Sequence, residues 1–192
     1  MSRIAFLIVI LVSVLSLSVI AGTAYADASA GAPGKDASVG YFNKMLTVME
    51  SPRCMNCHPR GNQPLQGADN HPHIMNVQRG ADDHGAVGMK CATCHGNENN
   101  PNSGVPGAPN WGLAPISMGW VGLNHHELCL AIKDQKKNHG MSLQKLIYHN
   151  GEDTLVGWAW HPGGNREPAP GTQKEFGENT RKWVESGAVC PE

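Results

Sequence analysis

The chain has 192 residues, with 15 Lys and Arg against 16 Asp and Glu, and a formal charge of −1. This length corresponds to one domain or two small ones, and the balanced charge argues against nucleic-acid binding, which needs a basic face. Aromatic residues make up only 6% of the chain, which excludes a large aromatic core, whereas ten His, eight Met and six Cys supply many metal-binding side chains.

The N-terminal segment has the pattern of an export signal. Residues 1–3 include a basic residue, residues 4–20 form an apolar run broken only by serines, and Ala24-Tyr25-Ala26 matches a signal-peptidase site. We therefore predict a signal peptide over residues 1–26 and a periplasmic mature protein. The alternative is an uncleaved segment that anchors the protein in the membrane, although the apolar run is short for a span.

The remaining chain is predicted to consist of a leader and one domain. Residues 27–35 are rich in Ala, Gly and Ser, which is typical of a flexible leader. Residues 36–192 form the domain, which begins with a helix from about residue 36 to 50. Asp36 or Ser38 can cap that helix.

Two irregular segments and three more helices follow. Residues 60–90 and 97–115 are polar and rich in Gly and Pro, so they can be ordered only if they wrap around something else. Capping residues and glycines then predict three helices, from Asn124 to Gly140, from Ser142 to Asn150-Gly151, and from Thr172 to Gly187. Asn124 with Glu127 and Thr172 with Glu175 both match the capping box. The fold class is therefore mostly α and loop-rich.

The cysteines carry the chemical information. Cys54-Met55-Asn56-Cys57-His58 and Cys91-Ala92-Thr93-Cys94-His95 are two C-x-x-C-H motifs, the attachment signature of c-type haem. In each motif two thiols on one face of a helical turn can form thioethers, and the following His supplies the proximal iron ligand. The sequence thus predicts two covalent haems, which would form the core of a small multihaem c-type cytochrome.

Other uses of these cysteines fit less well. A zinc site built from two C-x-x-C pairs has them about 15–20 residues apart, whereas 33 residues separate Cys57 from Cys91. A thioredoxin-like pair needs a βαβ unit, and none is visible. The remaining cysteines, Cys129 and Cys190, are an even number in an oxidising compartment, which favours a disulfide over two free thiols.

The distal iron ligands are the least determined part of the site. His73 lies in the loop between the motifs, His161 is held extended by the following Pro, and His149 lies near a helix end, where its alternative role is a C-terminal helix charge. Met118 can reach an iron or pack against Trp111 or Trp120. We predict His73 and one of His161 or His149 as ligands, with Met118 in reserve.

Four basic residues flank the motifs: Arg53, Arg60, Arg79 and Lys90. They can pair with haem propionates, dock a partner or be ordinary solvated charges, and the sequence leaves these roles open.

Beyond the motifs, several short stretches resemble a family of small exported dihaem proteins, sometimes labelled accessory subunits of isoquinoline 1-oxidoreductase. These stretches are 51–54, 76–80, 89–91, 113–115, 127–129, 155–158 and 168–172. The resemblance implies electron transfer with redox partner proteins, among which a molybdenum hydroxylase is one candidate. The matching positions include His73, His149 and His161.

Two functions remain open. The favoured interpretation is a periplasmic electron carrier, with no enzymatic activity, between a partner dehydrogenase and the respiratory chain. The alternative is a haem enzyme, or a gas- or peroxide-reactive protein, with one open iron site and a His as acid–base group.

Overall fold

The computed structural model describes residues 34–192, and this part of the chain is mostly helical, with 42% helix and 5% strand. The predicted α, loop-rich fold class is thus confirmed in its coarse form. The predicted signal peptide at 1–26 and nearly all of the predicted leader at 27–35 lie outside the described residues. None of the helices within 34–192 has the length and apolar character needed to cross a membrane.

Six α-helices are present in the described part of the chain: α1 Lys35–Met49, α2 Pro52–Met55, α3 His125–Lys133, α4 Leu143–Glu152, α5 Thr154–Gly157 and α6 Gln173–Glu185. Single 3₁₀ turns occur at Ile74–Asn76, Cys91–Thr93, Ile116–Met118 and Trp158–Trp160. Two minimal antiparallel hairpins pair β1 Leu65–Gln66 with β2 His71–Pro72, and β3 Gly85–Ala86 with β4 Met89–Lys90.

The helices α1, α4 and α6 pack together, with α6 between the other two, and α3 lies against their shared core. Phe42 of α1 lies 5.4 Å from Trp183 of α6 between ring centroids, and both side chains are fully buried. Leu128 and Ile132 of α3 and Leu146 of α4 join the same cluster. The helical half therefore has a side-chain core of its own, whereas residues 56–118 contain little regular structure.

The predicted N-caps of α3, α4 and α6 are confirmed, but the predicted capping box is complete only in α3, because the Glu175 carboxylate accepts from the Thr172 hydroxyl rather than from its backbone N–H. Asn124 and Glu127 form a reciprocal capping box, and the side chains of Ser142 and Thr172 accept hydrogen bonds from backbone N–H groups in the first turns of α4 and α6. The predicted cap of α1 was wrong, because Gly34 occupies that position without a side-chain bond. Ser38 instead lies buried, and its hydroxyl contacts the backbone of Trp183 and Val189.

One predicted helix end was also wrong, and another lies one residue before the observed end. Helix α3 ends at Lys133 rather than near Gly140, because Asp134 accepts a hydrogen bond from the Lys136 N–H and turns the chain. Helix α4 includes Asn150-Gly151 and ends at Glu152. Asn150 is buried there and donates to the Thr180 hydroxyl of α6 at 3.0 Å.

Gly151 and Gly177 lie at a close backbone contact between α4 and α6. A Cβ added at Gly177 would lie 2.5 Å from the Gly151 Cα, so the two backbones can approach this closely only without side chains.

Gly177→Ala is accordingly expected to lower the free energy of unfolding by about 1–3 kcal/mol, the usual cost of overpacking a core. Gly40→Ala is the matched control, because Gly40 is also helical but a Cβ added there would meet no atom within 4 Å. That substitution should raise stability by up to about 1 kcal/mol. Urea denaturation of both variants checks this, and equal effects would contradict the packing argument.

The predicted disulfide is present between Cys129 and Cys190, with the Cα atoms 5.6 Å apart. It links the fully buried face of α3 to the C-terminal segment across 61 residues of sequence. Cys129→Ala with Cys190→Ala is expected to cost about 2–4 kcal/mol of unfolding free energy. Guanidinium denaturation under oxidising conditions measures this cost, and an unchanged midpoint would contradict it.

Candidate functional site

Both C-x-x-C-H motifs adopt the helical turn that the spacing predicts. In the first, Ser51 caps α2, and the Cys57 and His58 N–H groups donate to the Cys54 and Met55 carbonyls, each at 3.1 Å. In the second, the Cys94 and His95 N–H groups donate to the Cys91 carbonyl at 3.2 and 2.9 Å. Each turn therefore places its His directly after two thiols on one local scaffold.

The two motifs share one pocket. Cys57 of the first motif and Cys91, Cys94 and His95 of the second line a cavity of about 480 Å³, within the roughly 300–1,000 Å³ typical of ligand sites. The four motif cysteines are not bonded to one another. Side chains from residues more than thirty positions apart thus converge on a single space.

The thiols of the first motif are held in their neutral form. Burial is the main cause that raises the pKa of Cys54 to about 12 and that of Cys57 to about 11, and the charge of nearby Cys91 contributes to the second value. A redox-active C-x-x-C pair has the opposite property, since its attacking thiol has a lowered pKa. The electrostatics therefore argue against a thioredoxin-like use.

His58 is oriented by its backbone surroundings. Its Nδ1 donates to the Met118 carbonyl at 2.8 Å, and its ring stacks on Trp120 with the centroids 3.5 Å apart. Burial lowers the pKa of His58 to about 3. The imidazole is thus neutral, with the proton on Nδ1 and the lone pair of Nε2 free, which is the form that binds metals.

His95 repeats this arrangement. Its Nδ1 donates to the Pro106 carbonyl at 2.7 Å, and its ring stacks on Trp111 at 4.6 Å and 9°. Burial also lowers the pKa of His95. Two His residues from separate motifs therefore have one bonding pattern: a carbonyl at Nδ1, a tryptophan at the face and an open Nε2.

His73 lies opposite His95. The ring centroids are 6.1 Å apart at an interplanar angle of 69°, and the Nδ1 of His73 donates to the Ile74 carbonyl at 2.8 Å. Two imidazoles bound to opposite sides of one metal ion at about 2 Å have centroids roughly 6 Å apart. The spacing of His73 and His95 fits that geometry.

His149 lies near His58. It is close enough that its charge further lowers the pKa of His58. Its Nδ1 faces the Asp153 carboxylate at 3.5 Å across one turn of α4, and its side chain is about one-third exposed. A carboxylate at Nδ1 is the usual support of a metal-binding His, so His149 keeps the features of a candidate ligand at the first motif.

The other candidate ligands are placed differently. His161 is exposed, and its backbone carbonyl accepts a hydrogen bond from Asn99. The Met118 side chain is buried in the apolar cluster of the helices, which agrees with its alternative packing role, and only its carbonyl contacts His58. The remaining His residues are exposed, namely His71, His84, His125, His126 and His139.

Several residues of the site were missed by sequence reasoning. The Met118 and Pro106 carbonyls are backbone groups, which leave no mark in a sequence. Trp111 and Trp120 were named only as packing partners of Met118, although a tryptophan in a Gly- and Pro-rich loop has no helix face to join. That position is itself a signal that such a ring packs on a functional group.

No protein-family model, no curated protein and no solved structure matches this sequence. Within residues 34–192, no three or more His, Cys, Asp and Glu side chains cluster as a metal site. The site is thus described by its own geometry, as two motif His residues beside two pairs of thiols, with His73 opposite His95.

Proposed function

We propose that this protein is a dihaem c-type cytochrome that carries electrons in the periplasm, between a partner dehydrogenase and the respiratory chain. The observation that carries the proposal is the geometry at the second motif, where His95 and His73 face each other with ring centroids 6.1 Å apart. For the first motif we propose His149 as the second ligand, because its Nδ1 faces the Asp153 carboxylate and its charge affects the pKa of His58. A haem iron with an imidazole on both sides has no open position and is suited to electron transfer.

The residues present fit the group that the motifs imply. One haem would be held through thioethers by Cys54 and Cys57, with His58 as its proximal ligand. The other would be held by Cys91 and Cys94, with His95 as its proximal ligand. Bound haem would supply a one-electron iron couple. We propose that the two haems complete the core of residues 56–118.

The protein's own residues set the surroundings of that couple. The Met118 and Pro106 carbonyls fix the tautomer and orientation of the proximal rings, and such outer partners raise the basicity of metal-bound imidazoles. Apolar side chains of the pocket, among them Leu113, limit the access of water. At the rim of the pocket, the apolar residues Ile74 and Met75 are 61% and 67% exposed. A haem ring bound in the pocket would cover these side chains.

The closeness of the motifs supports transfer between two centres in one chain. Cys57 and Cys91 line the same pocket, and the charge of one affects the pKa of the other. An electron could therefore enter at one centre and leave at the other. The resemblance to exported dihaem proteins remains a proposal, as does a molybdenum hydroxylase among the redox partners.

The test is an optical spectrum of the exported protein, oxidised, then reduced, then reduced under carbon monoxide. Sharp reduced bands that carbon monoxide leaves unchanged are expected if His occupies both distal positions. A shifted Soret band on about half of the haem would show one open iron. That result would contradict the carrier proposal and favour a haem enzyme or a gas- or peroxide-reactive protein.

A further inference from the structure

Two arginines face the shared pocket without an acidic partner. Arg53 and Arg166 both line the cavity, and within residues 34–192 no carboxylate forms an ion pair with either guanidinium. Other cations near the motifs differ in this respect, since Arg79 pairs with Asp83 and Lys90 pairs with Asp82. The pocket thus carries two guanidinium groups that form no ion pair within the described residues, although the more distant charge of Glu167 partly offsets that of Arg53.

Arg53 is unusual because it is also buried. Only 7% of the residue is exposed, and its guanidinium makes a single long hydrogen bond, to the Gly67 carbonyl at 3.3 Å, and lies 6.0 Å from the Trp158 ring centroid. Burial lowers the pKa of Arg53, and the charge of Arg166 lowers it further. A buried charge beside a like charge is costly unless an anion pairs with it.

Arg166 is held in place by backbone oxygens. Its guanidinium donates to the Gly104 carbonyl at 2.5 Å and to the Pro162 and Gly163 carbonyls at 3.2 and 3.3 Å. These bonds fix the side chain at the pocket wall but do not neutralise it. The position of the Arg166 side chain is therefore fixed by the protein itself, without a ligand.

We infer that Arg53 and Arg166 bind the carboxylates of the haem held in this pocket. The inference rests on the proposed function, because a haem attached at the motif cysteines would bring its propionate carboxylates into the cavity together with its apolar ring. Arginine suits this role, since its planar guanidinium can donate two parallel hydrogen bonds to a carboxylate. Docking of an acidic protein does not explain Arg53, because a residue 7% exposed cannot reach a partner surface.

The inference assigns different roles to the basic residues that flank the motifs. Arg53 and the additional Arg166 pair with propionates. Arg79 is a structural cross-link, since it is buried and donates to the Ala114 and Gly61 carbonyls as well as to Asp83. Arg60 is exposed and lies outside the pocket.

The experiment uses the haem-loaded protein and the variants Arg53→Gln and Arg166→Gln, with Arg60→Gln as the matched control. The readouts are the midpoint potentials of the two haems and the propionate bending band in the resonance Raman spectrum. Loss of either pocket arginine should lower one midpoint potential and shift that band, because a positive charge near iron favours the reduced state. Arg53→Lys should restore most of the potential but not the band, since it keeps the charge and loses the planar fork.

The outcomes separate this inference from the proposed function. If Arg53→Gln and Arg166→Gln behave like Arg60→Gln in a protein that carries both haems, the propionate assignment is wrong and the carrier proposal stands. If the parent protein carries no covalent haem, the proposed function itself fails. Inorganic phosphate added to the parent should leave both potentials unchanged, and a phosphate-dependent shift that Arg53→Gln abolishes would identify a free-anion site and overturn the assignment.

Discussion

His149→Ala and His73→Ala are each expected to open one iron while both haems stay attached. The reason is that His73 faces His95 at 6.1 Å between ring centroids, and that the charge of His149 affects the pKa of His58. In each variant about half of the haem should become high-spin and bind carbon monoxide, because that iron keeps only its proximal His. Reduced spectra with and without carbon monoxide measure this fraction.

His161→Ala is the matched control for this pair. His161 was an equal candidate in the sequence, but it lies exposed. Its removal should leave the spectrum and both potentials unchanged, and Met118→Leu should do the same because the Met118 carbonyl that contacts His58 is retained. Carbon monoxide binding in His161→Ala, with none in His149→Ala, would show that the ligand assignment is wrong.

Removing one pair of motif thiols should destabilise the irregular half of the protein more than the helical half. Cys91→Ser with Cys94→Ser is expected to abolish covalent attachment at the second motif. Stability should fall by more than about 4 kcal/mol, the stabilisation that a ligand gives at a thousandfold its dissociation constant. The loss should concentrate in residues 56–118, where little regular structure is present.

Hydrogen exchange locates this effect. Amides within 56–118 should lose protection, whereas those of α1, α4 and α6 should largely keep it, because these helices share a side-chain core that includes Phe42 and Trp183. Cys129→Ala with Cys190→Ala serves as the control, since it also removes two cysteines but no motif thiol. Unchanged protection of 56–118 in the Cys91→Ser, Cys94→Ser variant would falsify the proposed haem core.

The helical half was largely predictable because its signals are local. Capping by Asn124, Ser142 and Thr172 depends on residues three positions away, and the structure shows each of these caps. The errors have more than one cause. Helix α3 ends early at a local turn at Asp134, whereas Ser38 is buried against distant backbone instead of capping α1.

The candidate site also has one part that the sequence predicts and another that depends on tertiary packing. The motifs are recognisable in the sequence because the proposed thioether attachment requires a fixed spacing, and both motifs form the expected turn. The sequence leaves His149 and His161 equally open as proposed ligands, because their positions relative to the first motif depend on tertiary packing. The stacking of Trp111 and Trp120 on the motif His rings is likewise a tertiary property.

The measurement that tests the central claim most directly is the intact mass of the exported protein under denaturing conditions, produced in a host that attaches c-type haem. The account predicts a mass that includes two covalent haems and one disulfide, with one haem lost when either motif pair is changed to Ser. A mass that corresponds to the polypeptide alone would contradict the account, because both C-x-x-C-H turns would then serve some other chemistry.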